Sequence, residues 1–314
     1  MTRIVIIGAG AMGSLFATHF SDAGAEVWAF DAWRDHVDAI RRQGLRVRAA
    51  GSERAVAVRA TCDALEPGTA DIALVMVKFR QTPEAVTAAL PMIGKQTLVV
   101  TLQNGIGNVE AIRALVPANR ILVGFTTLTS EMLGPGRIEA SYVGKGETYL
   151  WPADGRADAA CEAVIALFNR GGVPALLASD IELRIWKKLV VNCCYNPLCA
   201  MTGQSVGELI DRPEIWPVLD GLTEEIVAAA QRKGIPLERG EAGRFLRQVG
   251  DEAQAHYPSM LIDVRRRRLT EIDCLNGAVL RECLRHGIAA PLNRAMVDIV
   301  HAIEAQWKSE GRSP

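Results

Sequence analysis

A β-branched run over residues 3–7 leads directly into Gly8, Gly10 and Gly13, and an apolar helical pattern continues from there through Phe20. Few folds accommodate a strand, a tight turn and a helix in so short a span. Gly8 permits the turn, Gly10 lets a ligand approach the backbone, and Gly13 lets the helix pack on the strand. The amides opening such a helix suit a phosphate. The spacing alone is weak evidence. The strand before it and the helix after it make a ligand-free glycine turn the lesser reading.

A second strand, residues 26–30, ends at Asp31. An acid there accepts hydrogen bonds from an adenosine ribose and repels a 2′-phosphate. Its alternative role is to cap the helix that the following residues spell. The ribose reading places Gly8, Ala9, Gly10, Ala11, Met12, Gly13 and Asp31 against a dinucleotide, with Asp31 favouring NADH over NADPH. Arg34 lies downstream and weakens that preference, whereas Arg41 and Arg42 read as a solvated helix face.

Short strands are expected near residues 45–48 and 55–59, followed by buried parallel strands at 71–77 and 97–102. Lys78 and Asn104 follow the last two, and ligands of open parallel sheets bind beyond the carboxyl ends of the strands. For either residue alone, a solvated strand end is the simpler reading. After a strand at 121–123, short alternating runs near 136–143 and 147–151 predict antiparallel strands extending the same sheet. A helix over 158–169 and a strand over 173–177 close the domain.

At 314 residues the chain exceeds what one core usually supports. The boundary is expected near 178–180, giving a Rossmann-type α/β domain, 1–178, and an all-helical domain, 179–314. A net charge of −1 points to neither nucleic acid nor an anionic membrane, and no apolar run approaches a membrane span. The N-terminus lacks the sections of a signal peptide. Seven cysteines show no CxxC pair and no histidine at metal-ligand spacing, so reduced thiols, no metal and a cytoplasmic location are expected. The segment after Trp307 reads as a frayed tail, and the apolar helical half is compatible with a homodimer.

Residues 181–203 set Lys188, Asn192 and Asn196 four apart, on one helical face. An amine and two amides aimed the same way suit a small oxo-acid. A surface polar stripe is the bland alternative, but Trp186, Leu189, Val190, Cys193 and Cys194 imply a largely buried helix. Pro197 inside it predicts a kink or break near Asn196, with a carbonyl freed for a ligand. Farther on, Arg265–Arg268 read as a solvated helix face, and Glu271 and Asp273 as acids in an apolar helical run.

These residues together resemble the ketopantoate reductases, also called 2-dehydropantoate 2-reductases. The resemblance spans nearly the whole chain. Its motifs are the glycine loop, Val77 and Lys78 with Gln81, Gln103 to Gly105, Trp186 to Leu189 with Asn192, Asn196 to Leu198, Ser259 and Met260, and Thr270 to Asp273 with Asn276 and Gly277. It implies Lys188 as catalytic proton donor, Asn192, Asn196 and Ser259 as substrate ligands, Glu271 at the cofactor and substrate, and Asn104 near the nicotinamide. Two positions depart from the family pattern. Ala32 stands where NADPH-using members carry an arginine, and His256 where many carry an asparagine.

The expected function is hydride transfer from NADH or NADPH to C2 of a small 2-oxo acid, foremost 2-dehydropantoate. A relative acting on another branched or hydroxylated 2-oxo acid is the near alternative. A catalytically silent cofactor sensor is the distant one.

Overall fold

The computed structural model describes residues 1–142 and 146–309. Val143 and the tail beyond Ser309 therefore lie outside the described residues. The chain divides into two compact units, Met1–Ile181 and Glu182–Pro314.

The first unit alternates strands and helices: β1 (Arg3–Ile7), α1 (Ala11–Asp22), β2 (Glu26–Phe30), α2 (Arg34–Gln43), β3 (Leu45–Ala49), β4 (Ser52–Val56), β5 (Arg59–Thr61), β6 (Ala70–Val75), α3 (Thr82–Ala89), β7 (Ile93–Thr101) and α4 (Asn108–Arg113). There follow β8 (Ile121–Thr126), β9 (Leu128–Gly134), β10 (Arg137–Tyr142), β11 (Thr148–Pro152), α5 (Ala159–Arg170) and β12 (Ala175–Leu177). Eight strands form one sheet in the order β12-β11-β8-β7-β6-β1-β2-β5, with all neighbours parallel except β11 and β8. Its central strands are apolar on both faces because helices cover both. Phe16, Phe20 and Phe168 meet edge-on or stacked on one side, while Val86, Met92 and Ile112 fill the other.

The order of strands reverses between β1 and β6, which is where open sheets of this kind receive ligands. The glycine loop follows β1 and Lys78 follows β6.

One expectation fails here. β10 does not extend the main sheet; it pairs parallel with β3 and antiparallel with β9 in a second sheet ordered β4-β3-β10-β9. The bidentate pair between Arg48 and Glu139 crosses this β3–β10 seam at 2.8–2.9 Å. β11 does join the main sheet, antiparallel to β8.

The second unit is helical: α6 (Ile181–Thr202), α7 (Val206–Ile210), α8 (Trp216–Arg232), α9 (Arg239–Glu252), α10 (Ser259–Arg265), α11 (Asn276–Arg285) and α12 (Pro291–Ser309). The first residue of α6, Ile181, falls in the first unit. Helix α6 runs unbroken through Pro197, against the expected break at Asn196. It forms the spine of the unit's core: Trp186, Leu189, Val190, Cys193, Cys194 and Tyr195 are all buried. Tyr195 is anchored by its hydroxyl, which donates to Leu246 O of α9 at 2.7 Å. The seven cysteines are free thiols, and all except Cys62 are buried. No helix among the described residues is long and apolar enough to cross a membrane.

Candidate active site

The glycine loop is held from three directions. Gly8 N donates back to Phe30 O at 2.9 Å, which fixes the turn leaving β1 against the end of β2. Gly8 has φ +91°, and a Cβ on it would stand 2.5 Å from Val77 Cγ1, so the turn is closed against the segment after β6. A Cβ on Gly13 would meet Gly8 O at 2.0 Å, which shows how tightly α1 sits on the loop. Gly10 differs: a Cβ there meets nothing within 4 Å. No side chain caps α1, and its first turn carries no acid. The opening amides of α1 therefore have no side-chain cap of their own, the arrangement that suits a pyrophosphate.

Asp31 neither caps α2, whose N-cap is Trp33, nor stands idle. Its Oδ2 accepts from Ala9 N at 2.7 Å and its Oδ1 from Trp33 N at 2.8 Å. A carboxylate has about four acceptor positions, so lone pairs remain for ribose hydroxyls. The acid thus braces the loop and keeps capacity for a diol.

The loop's third support escaped sequence reasoning. Ser14 Oγ donates to Ala9 O at 2.7 Å, and fully buried His36 places Nε2 3.4 Å from that hydroxyl. His36 Nδ1 accepts from Gly136 N at 2.9 Å, so a neutral ring carries its proton on Nε2 and donates toward Ser14. Burial pushes the pKa of His36 down, which favours that neutral ring, although Asp31 pulls the other way. The available signal was a lone histidine on the apolar face of an otherwise polar helix.

At the ends of β6 and β7, Gln103 does the joining. Its Nε2 donates to Val77 O at 2.6 Å and to Thr82 Oγ1 at 2.8 Å, while Thr101 Oγ1 donates to its Oε1 at 2.9 Å. Asn104 follows it, half-buried, with its carbonyl taken by Asn108 Nδ2 at 3.0 Å. Lys78 is half-buried and opens the short 3-10 turn Phe79–Gln81.

In the second unit, Lys188, Asn192 and Asn196 share the expected face of α6, with Asn196 buried and the other two half-buried. Desolvation pushes the Lys188 ammonium down to about 8, against the opposing pull of the Glu271 carboxylate. These two side chains are the predicted pair the fold brings into electrostatic contact. Glu271 does not lie in a helical run; it precedes the short 3-10 turn Ile272–Cys274. Thr270 holds that segment, its N and Oγ1 both donating to Glu304 Oε1 of α12, at 2.8 and 2.6 Å. Ser259 is the exposed first residue of α10, and His256 precedes it on the surface. The arginine run is exposed as expected but leaves the helix after Arg265; Arg267 has φ +54°.

Pro197 also departs from expectation in the carbonyl it frees. The group left without a helical donor is Cys193 O, four residues back, and Asn276 Nδ2 donates to it at 2.9 Å. It is not open to a ligand.

Two family models cover this arrangement: ketopantoate reductase PanE/ApbA over residues 4–155, and the C-terminal region of the same family over residues 180–304. The chain belongs to the ketopantoate reductase family. Among curated relatives, the 2-dehydropantoate 2-reductase of Streptococcus pyogenes serotype M18 is 33% identical over 304 residues, covering 96% of this chain and 98% of that protein. The Vibrio cholerae 2-dehydropantoate 2-reductase is 32% identical, covering 97% of this chain and 99% of that protein. Among solved structures, D-mandelate dehydrogenase with NADH and anilino(oxo)acetate superposes with a TM-score of 0.93 at 28% identity, covering 98% and 99% of the two chains. A family ketopantoate reductase from Ralstonia eutropha JMP134 gives 0.89 at 30%, covering 98% and 100%. The family's members are oxidoreductases with Rossmann-type sheets, the architecture of the first unit.

Proposed function

We propose that this protein transfers hydride from a nicotinamide cofactor to C2 of a small 2-oxo acid, foremost 2-dehydropantoate, with Lys188 as proton donor. The observation that carries the reading is Lys188 itself. It is a desolvated ammonium beside Glu271, its pKa lowered to about 8, on the helical face of Asn192 and Asn196. When bound, the cofactor supplies the hydride; the protein's own groups do the rest. Hydride arriving at C2 leaves charge developing on the former carbonyl oxygen. A nearby ammonium stabilises that charge and delivers its proton, the more readily because its pKa lies near the working pH. Asn192, Asn196 and Ser259 offer neutral donors and acceptors for the carboxylate and a distal hydroxyl. Glu271 orients the lysine through its field.

On the cofactor side, the opening amides of α1 take the pyrophosphate, Asp31 takes the ribose, and Lys78 and Asn104 follow the neighbouring strand ends. Asp31, with Ala32 beside it, supports NADH. The same acid, together with the NADH-bound D-mandelate dehydrogenase fold, favours a second reading: an NADH-dependent reductase of another branched or aromatic 2-oxo acid. Both are tested by one panel, in which 2-dehydropantoate, 2-oxoisovalerate and phenylglyoxylate are each assayed with NADH and NADPH. The first reading requires 2-dehydropantoate to give the highest kcat/KM. Faster turnover with NADPH overturns the role given to Asp31.

A further inference from the structure

Helix α6 contains a proline, and a proline has no amide hydrogen for the carbonyl four residues back. Asn276 supplies the missing donor from another element. Its Nδ2 donates to Cys193 O at 2.9 Å and, with its second hydrogen, to Asn293 Oδ1 at 3.1 Å. The amide orientations follow from their partners: Asn293 Nδ2 donates to Glu225 Oε2 at 2.8 Å, which leaves Asn293 Oδ1 as an acceptor facing Asn276. Asn276 is fully buried, and its Oδ1 has no partner among the described residues. A buried acceptor left unpaired is unfavourable, so the two donated bonds are what justify an asparagine at this position.

The positions of the two ends matter. Cys193 lies on α6 between Asn192 and Asn196 and just over one turn beyond Lys188, while Asn276 opens α11 shortly after Glu271. The bond therefore ties together the two segments that carry Lys188 and Glu271.

We propose that Asn276 is a positioning residue: by taking the carbonyl that Pro197 leaves open, it fixes α6 against the Glu271 segment and so sets the placement of Lys188 relative to Glu271. This rests on the reading of Lys188 as proton donor. The pairing of proline and asparagine has a consequence that ordinary core packing lacks. Pro197→Ala gives Cys193 O a donor from within the helix but cannot replace the link from α6 to the Glu271 segment, so it separates satisfying the carbonyl from positioning.

The test compares Asn276→Ala, Pro197→Ala and the double variant, with NADH and the preferred acid of the panel, following melting temperature and the pH dependence of kcat/KM. Asn276→Ala is expected to lower kcat at least tenfold and to move the alkaline midpoint, near 8 in the parent, downward as the field of Glu271 weakens at the lysine. Its KM for NADH stays unchanged. Pro197→Ala alone stays near the parent, and the double variant recovers most of the lost melting temperature while kcat and midpoint stay at the Asn276→Ala values, because the tie from α6 to the Glu271 segment is still missing. The inference is overturned if Asn276→Ala leaves kcat and midpoint unchanged, or if the double variant recovers kcat and midpoint along with melting temperature. Should Asn276→Ala not fold, the double variant decides: a folded protein with lowered kcat and midpoint upholds the inference, and any other result overturns it. Lys188→Ala run alongside separates the two levels. Full activity in that variant removes the proton-donor reading itself.

Discussion

In the first unit the groups offered to the proposed cofactor are mainly backbone: the uncapped amides of α1, opened by Gly10 and braced by Asp31 through Ala9 N. In the second unit the groups offered to the proposed substrate are side-chain tips on α6, set by helical spacing and by the field of one carboxylate. The difference follows from the ligands. A pyrophosphate asks for several donors converging at short range, which a helix start provides without any particular side chain. An oxo-acid under reduction asks for one proton at one atom, which only a titratable side chain supplies. The first design is expected to tolerate changed side chains and to fail on added Cβ atoms. The second is expected to do the reverse.

The sharpest way to break that contrast is Lys188→Ala. General acid catalysis contributes roughly 10²–10⁴-fold, and a loss of kcat on that scale is expected with the NADH dissociation constant unchanged. Equal losses in catalysis and cofactor binding would end the assignment. The same lysine fixes a pH profile. With its pKa lowered to about 8, kcat/KM for reduction should fall with one proton as pH rises through that value, since the donor is then deprotonated.

Next in size are the two glycine variants. At Gly13 a Cβ would meet Gly8 O at 2.0 Å, so Gly13→Ala forces α1 off the loop. Overpacking of this kind costs about 1–3 kcal/mol, which thermal melting reads directly. At Gly10 nothing stands within 4 Å, so Gly10→Ala should leave melting unchanged and raise the NADH dissociation constant roughly tenfold, about 1.4 kcal/mol. Unchanged NADH binding in Gly10→Ala would mean that this open face is not where the cofactor lies.

The same contrast separates what was legible in the sequence from what was not. β1, α1 and β2 carry their own signals, a β-branched run, fixed glycines and a terminal acid, so they could be placed almost to the residue. The place of β10 carries no such signal, because its partner β3 lies some ninety positions away; the Arg48–Glu139 pair is separated by 91. In the second unit, the shared helical face of Lys188, Asn192 and Asn196 was legible from spacing alone. The groups that set them were not. Asn276 reaches Cys193 across 83 positions, and Thr270 reaches Glu304 across 34, pulling Glu271 out of the helix its apolar neighbours implied. Local order shows in sequence, whereas a hydrogen bond between distant segments leaves no periodicity.

The smallest expected effect tests whether the backbone site is free of side-chain chemistry. His36 supports the glycine loop only while neutral, since Nδ1 must accept from Gly136 N and Nε2–H must reach Ser14 Oγ. Its folded pKa is lowered by burial from the ordinary 6.5. Below 6.5 the unfolded chain therefore binds the proton more readily, and stability present above that value is lost as pH falls toward the folded pKa. His36→Asn keeps an acceptor near the Nδ1 position and cannot take up a proton. It should cost about 1 kcal/mol at pH 8, in the range of ordinary core substitutions, and should remove part of the decline in melting temperature between pH 7 and 5. Buried His19, and His256, whose ring is partly desolvated although the residue lies at the surface, also have lowered pKa values but remain in both proteins, so the difference between the two curves isolates His36. Parallel curves would show that the loop stands on its backbone alone.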